Sequence, residues 1–336
     1  MLNIPRPCLL FLGDVTEPRF AKTAFGLRDW APDSCVGELA LPAATVSTGL
    51  PRIEPAEAAK RGARSVVIGI ANRGGILASE WIPSLIACLE AGLDLVSGMH
   101  SRLAQHPQIK AAAERLGRRL IDVRTPPSDI RVGSGDKRSG KRLLTVGTDC
   151  ALGKKYTALT LARAFRSRGV DADFRATGQT GILIAGRGIP IDSVVADFIA
   201  GAAEMLSPAA ADSHWDVVEG QGSVFHPSYS GVSLGLLHGT QPDVIVVCHE
   251  VGRDCVMGLE SYPTPSLPEA IELHLQLARR TNPRVRCAGI SLNTSDLDDE
   301  AADRELASCS DRLKLPAADP IRGGPRLEAL VEACLA

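Results

Sequence analysis

The residues best suited to chemistry lie at Leu143-Leu-Thr-Val-Gly147-Thr-Asp-Cys-Ala-Leu-Gly153-Lys154-Lys155. An apolar strand runs into a loop bounded by glycines, and the loop ends in Gly-Lys at the start of a helix. That order is the grammar of a phosphate-binding loop: backbone N–H groups converge, a lysine supplies a positive charge, and a helix N-terminus faces the anion. Gly147, Thr148, Asp149, Cys150, Ala151, Leu152, Gly153, Lys154 and Lys155 are therefore the expected donor-binding set.

Two departures refine the expectation. Five residues separate the glycines where the common loop has four, and Lys155 occupies the position where a Ser or Thr hydroxyl ordinarily meets a magnesium ion. A cradle without its metal ligand suits a diphosphate held without reaction at phosphorus, such as that of coenzyme A. No metal is expected. The remaining histidines lack HExxH or similar ligand spacing, and none of the nine cysteines forms a CxxC pair.

Other polar residues cluster after strand-like runs. Thr177, Gln179 and Thr180 follow one run; Glu219, Gln221, Ser223 and His226 follow the next; His249 and Arg253 follow a third; Asn293 follows a fourth. In an open α/β sheet, ligands gather beyond the C-terminal strand edge, so these loops are expected to converge on one site. His226 or Glu219 can accept a proton from an attacking amine. Asp197, a lone carboxylate in an apolar helical stretch, either forms a structural ion pair or projects into the site. His249 is either a strand-end ligand or a satisfied core histidine. Arg73 is a candidate carboxylate clamp, and Thr177, Gln179, Thr180, Gln221, Ser223, Arg253 and Asn293 complete the expected substrate set.

The elements needed to position these residues alternate as strand and helix. Strands are expected at 8–12, 65–71, 94–96 and 119–122, with helices at 80–91 and 109–117. The polar, glycine-rich stretch 132–142 reads as a linker. Beyond it, strands near 143–147, 173–176, 215–219, 244–249 and 285–292 alternate with helices, including 154–168, 191–205 and 267–278. The fold class is α/β, with two doubly wound, mostly parallel sheets: residues 1–131, the linker, then 143–336.

Composition bounds the rest. The 336 residues are 45% hydrophobic, with 37 Lys plus Arg against 39 Asp plus Glu. Such a balance gives no basic field for nucleic acid or an anionic membrane, which leaves small-molecule substrates as the expected partners. Neither a membrane-length apolar run nor a signal-peptide pattern is present, and scattered cysteines suit a reducing compartment, so a cytoplasmic homo-oligomer is expected.

Two resemblances follow from these motifs. The wide phosphate loop and Val218-Glu219-Gly-Gln-Gly222 are similar, locally, to dethiobiotin synthetase and related P-loop ligases. Nearly the whole chain resembles a family of two-domain proteins long called a domain of unknown function, Rossmann-like and then P-loop-like. The residues that carry this are Ala21-Lys-Thr-Ala24, Glu80-Trp81, Ala91-Gly-Leu-Asp-Leu-Val-Ser-Gly98, Asp122-Val-Arg-Thr-Pro-Pro127, the phosphate loop, Ala176-Thr-Gly-Gln-Thr-Gly181, Glu219 to Pro227, Leu315-Pro and Asp319-Pro320. Characterised members of that family are D-glutamate N-acetyltransferases of D-amino acid catabolism. The resemblance implies acetyl transfer from acetyl-CoA to the amine of D-glutamate or a related amino acid. Lys155-Tyr156 and Asn72-Arg73 depart from its pattern. The alternatives are an ATP/Mg-dependent ligase, with Glu219 and Asp149 on the metal, and a non-catalytic nucleotide-binding regulator.

Overall fold

A computed structural model describes residues 2–70 and 75–336. Arg73 and Asn72 lie outside the described residues. The chain forms two compact units, Met1–Pro127 with Gln179–Ser193, and Ser128–Gly178 with Val194–Ala336.

The first unit is built on strands β2 (Cys8–Gly13), β3 (Cys35–Ala40), β4 (Ser65–Ile68), β5 (Asp94–Ser97) and β6 (Leu120–Asp122), ordered β3-β2-β4-β5-β6. Every pairing among them is parallel. Strands β2, β4 and β5 are buried throughout, as expected of a sheet covered on both faces. Helices α1 (Lys22–Trp30), α2 (Pro55–Lys60), α3 (Ile82–Glu90) and α4 (Pro107–Leu116) complete the layers, and Trp81 packs edge-on against Phe11 with ring centroids 5.9 Å apart.

The expected division at 132–142 is corrected in two respects. Gln179–Ser193 is spatially part of the first unit. There, helix α6 (Gln179–Ala185) lies against α1, with the hydroxyls of Thr23 and Thr180 3.3 Å apart. A short ribbon pairs β1 (Leu2–Asn3) with β9 (Arg187–Gly188), and Arg6 donates to the Ile184 carbonyl at 2.6 Å. Second, the stretch read as a linker is held into the second unit by Arg138 and Arg142. Arg142 is 1% exposed. Its guanidinium donates to the Ser207 hydroxyl at 2.8 Å and to the carbonyls of Arg138, Ser139, Gly140, Ser207 and Pro208.

The second unit orders β15 (Ala317–Ala318), β14 (Arg286–Asn293), β11 (Val244–Glu250), β7 (Lys141–Gly147), β10 (Trp215–Val218) and β8 (Ala172–Arg175) into one parallel sheet. Around it lie α5 (Lys154–Ser167), α7 (Ile199–Leu206), α8 (Ser230–Thr240), α9 (Leu267–Ala278), α10 (Asp299–Leu313) and α11 (Gly324–Leu335). An antiparallel ribbon, β12 (Cys255–Val256) with β13 (Leu259–Pro263), follows β11. Helix α8 escapes sequence reading because Ser230-Gly-Val-Ser-Leu-Gly-Leu-Leu-His-Gly-Thr240 has poor intrinsic helicity. Close packing explains two of its glycines: a Cβ on Gly235 would stand 2.6 Å from the Ile199 side chain, and one on Gly239 would stand 2.1 Å from the Ala200 carbonyl oxygen on α7. The expected helix 191–205 is instead two 3-10 turns followed by α7.

Candidate active site

The central strand β7 delivers residues 148–153 to the C-terminal sheet edge and continues into α5. The adjacent strands β10 and β11 bring the 219–229 and 250–257 loops to the same edge. Thr148 is fully buried and its hydroxyl lies 2.9 Å from Nδ1 of His249. The Ser223 hydroxyl, also buried, donates to the main-chain oxygens of Gly147 and Thr148, at 3.0 and 3.1 Å. Ser223 therefore pins the main chain at the start of the phosphate loop. Ala151 adopts a left-handed backbone, φ 56°, which costs a non-glycine residue energy.

Lys154 is 6% exposed, and its ammonium donates to the Asp149 main-chain oxygen at 2.6 Å. Burial pushes its pKa below the ordinary lysine range. Lys155 is half-buried, lies 4.2 Å from the centroid of the Tyr156 ring, and is lowered by burial too, against the pull of Glu219. Leu152 is buried beneath the loop.

Glu219 is 4% exposed and its Oε2 accepts from the N–H groups of Thr177 and Gly178 at 2.9 and 3.0 Å. Burial raises its pKa, and those two hydrogen bonds oppose the rise. The Thr177 hydroxyl donates to the Glu219 carbonyl and accepts from Gln221 Nε2, at 2.7 and 2.9 Å. Next, the Gly220 N–H donates to the Thr145 hydroxyl at 2.9 Å, and a Cβ there would sit 1.7 Å from the Thr145 carbonyl oxygen. Only glycine lets β10 turn this close to β7.

Asp149 is completely buried. Its Oδ2 accepts from Arg253 Nη1 at 2.9 Å and from the Met257 N–H at 2.7 Å, whereas Oδ1 has no hydrogen-bond partner among the described residues. Arg253 also holds Glu250, whose other oxygen accepts from Asn293 Nδ2 at 3.2 Å. Arg253 and Asn293 thus brace the loop ends. A carboxylate oxygen of Asp149, the Cys150 sulfur and a ring nitrogen of His226 lie within 4.8 Å of one another.

His226 is 3% exposed and stacks on Tyr229, 4.4 Å between centroids. Its Nδ1 accepts from the Ser228 N–H at 3.1 Å, and Nε2 faces the Met257 carbonyl at 3.4 Å. A backbone donor on Nδ1 puts the ring proton on Nε2. In this arrangement Nε2 carries the proton and points at a carbonyl. The same tautomer makes it a poor metal ligand, because both ring nitrogens are committed. The other group of possible ligands, Asp173, His214 and Asp216, is likewise tied up: His214 bonds Asp171 at 2.9 Å and Asp216 at 3.1 Å.

Asp197 is exposed on a 3-10 turn, Ala196–Phe198, which corrects its reading as a buried carboxylate in a helix. Gln179 and Thr180 belong to the first unit, whereas Thr177 and Glu219 belong to the second. His249 is half-buried, and its pKa is lowered by burial first and by Arg253 next. It opens on a cleft of about 430 Å³ whose lining includes Pro265, Leu267, Leu292, Cys309 and Arg312. Sequence reading missed Thr145, Ser228, Tyr229 and Met257. Only Thr145, polar within an apolar strand, carries a local signal.

Comparison with known proteins agrees with this architecture. Residues 34–126 match a family described as a domain of unknown function (DUF1611_N), Rossmann-like domain, and residues 131–331 match its P-loop counterpart, DUF1611_C. A protein from Pseudoalteromonas sp, named D-glutamate N-acetyltransferase, is 47% identical over 323 residues, covering 96% of this chain and 97% of its own. One of the same name from Tritonibacter scottomollicae is 49% identical over 321 residues, covering 96% of each. The crystal structure of a DUF1611 family protein from Anabaena variabilis ATCC 29413 is 34% identical, covers 98% of both chains and superposes with a TM-score of 0.83. No helix among the described residues is long and apolar enough to cross a membrane. Matched in both halves by the family patterns and across nearly its full length by these relatives, the chain belongs to the DUF1611 family, a Rossmann-like domain followed by a P-loop domain.

Proposed function

We propose that the protein is an N-acetyltransferase that moves an acetyl group from acetyl-CoA to the amine of D-glutamate or a related amino acid. The observation that carries this reading is the pair of relatives bearing that activity's name, 47% and 49% identical over 96% of the chain. The site is compatible with it. Residues 147–155 offer a phosphate cradle with Lys154 and no metal-binding hydroxyl, and the cleft beside His249 gives room for the rest of the donor. Backbone N–H groups of the glycine loops are the donors for the oxyanion, an interaction contributing on the order of a hundredfold in rate. Nine free cysteines suit a reducing, cytoplasmic setting, where we expect a homo-oligomer.

The ligase alternative asks Glu219 and Asp149 to hold magnesium. Each carboxylate already spends one oxygen on two hydrogen bonds within the protein, which weighs against it. The discriminating experiment measures thermal shifts with CoA, or with ATP plus magnesium, alongside acetyl transfer to D- and L-glutamate. Stabilisation by CoA without metal and turnover of D-glutamate are expected. Stabilisation by ATP-magnesium alone, without acetyl transfer, would overturn the proposal.

A further inference from the structure

We infer that Asp149, and not His226, is the catalytic group that receives the acceptor's ammonium and takes its proton. This inference rests on the acetyltransferase reading and deepens it. Asp149 is 0% exposed, and only one of its carboxylate oxygens is hydrogen-bonded among the described residues; such a group is costly unless a positive or hydrogen-bearing partner arrives. Arg253 and the Met257 N–H hold Oδ2 at 2.9 and 2.7 Å, so the carboxylate plane is set and Oδ1 is left buried without a partner among the described residues. Half-buried Cys150 borders the cluster, its sulfur within 4.8 Å of an Asp149 carboxylate oxygen. His226 cannot substitute, because the Ser228 N–H occupies its Nδ1 and the proton resides on Nε2. An unpartnered carboxylate oxygen is also an unsuitable neighbour for a phosphate, which assigns the Asp149 side chain to the acceptor half of the site.

In the transfer itself, the ammonium gives one proton to Oδ1, and the neutral nitrogen attacks the thioester carbon. The C–N bond forms and the C–S bond breaks, with the nitrogen's second proton passing to the departing thiolate. Asp149 then returns its proton to solvent. The titratable groups around it are Cys150, Lys154, His226 and Arg253, the last paired with Glu250.

The test compares wild type with Asp149→Asn, using D-glutamate and, separately, hydroxylamine, whose nitrogen is neutral at pH 7. For D-glutamate, kcat should fall roughly a hundredfold or more, while the CoA-induced thermal shift stays within a few-fold of wild type in affinity. Hydroxylamine needs no base, so both enzymes should acetylate it at similar rates. Equal losses with both nucleophiles would reduce Asp149 to a structural role and overturn the inference. Loss of the CoA shift would return its side chain to the phosphate loop and overturn the inference equally. So would a zinc- or magnesium-induced shift present in wild type and absent in the variant. Should the variant fail to fold, the wild-type profile of kcat/KM decides: a plateau below the amine pKa supports the inference, and a steady tenfold rise per pH unit up to the amine pKa refutes it. Absence of acetyl transfer to any amine by wild type sinks the parent reading instead.

Discussion

Lys154→Met keeps the side chain's length and removes its charge, and the structure gives this change opposite effects on two measurements. Lys154 is 6% exposed, and its ammonium donates to a neutral carbonyl, the Asp149 main-chain oxygen. Burying an ion carries an effective penalty of several kcal/mol, whereas a hydrogen bond from a charged donor returns about 1.5–3 kcal/mol. The Asp149 carboxylate offsets part of the difference, and it keeps Arg253 and the Met257 N–H after the substitution. The ligand-free variant should therefore be more stable by about 1–2 kcal/mol. For a unit of this size that raises Tm by roughly 2–8 °C. Donor binding should move the other way, weakening by about ten- to a hundredfold as the charge-assisted bond to phosphate is lost. The pH dependence adds a signature. With the folded-state pKa of Lys154 depressed, the unfolded chain binds more protons between that value and the ordinary lysine range, so wild-type stability gains as pH rises through this window; the Met variant lacks this gain. Melting curves with and without CoA, from pH 7 to 10, measure all three. A variant that melts below wild type at pH 7 refutes the desolvation argument, and one that keeps the full CoA shift refutes the phosphate-loop assignment.

Arg142→Met should cost about 3–5 kcal/mol in urea unfolding, because it leaves carbonyls of residues 138–140 and 207–208 without their donor; a loss under 1 kcal/mol would show that the segment 132–142 is held by other means. Burial lowers the pKa of His214, but its bonds to Asp171 and Asp216 outweigh burial and the net shift is upward. Its stabilisation is thus complete below about pH 6.5 and fades as pH rises through the folded-state value, so the urea midpoint should decline there, and His214→Ala should flatten that decline. His226→Gln, which retains an N–H donor, should keep kcat within about tenfold of wild type; a loss near that of a missing base would restore His226 as the proton acceptor.

The phosphate loop was legible because its signal is local. Strand, glycines and Gly-Lys sit within thirteen residues, and backbone geometry makes them function as a unit wherever they fold. The apolar runs within β2, β4, β7 and β11 were legible for the same kind of reason, since strands covered on both faces are built mainly from apolar residues. Strand β3 was not legible, carrying Gly37 and a fully buried Glu38 whose carboxylate is satisfied by Ser47 and Thr48, partners that only folding supplies. The segment Gln179–Ser193 likewise follows the phosphate loop in sequence yet belongs to the first unit, an assignment made by packing on α1 and pairing with β1. Proton chemistry divides in the same way. That histidine and carboxylates occupy these loops is written in residue types. That Ser228 takes the lone pair of His226 Nδ1, and that Arg253 and Met257 claim one oxygen of Asp149 and leave the other unpartnered among the described residues, depends on groups 2, 104 and 108 residues away in the chain. Hydrogen-bond direction is a property of atoms brought to within about 3 Å of each other, and tertiary structure alone decides which atoms those are.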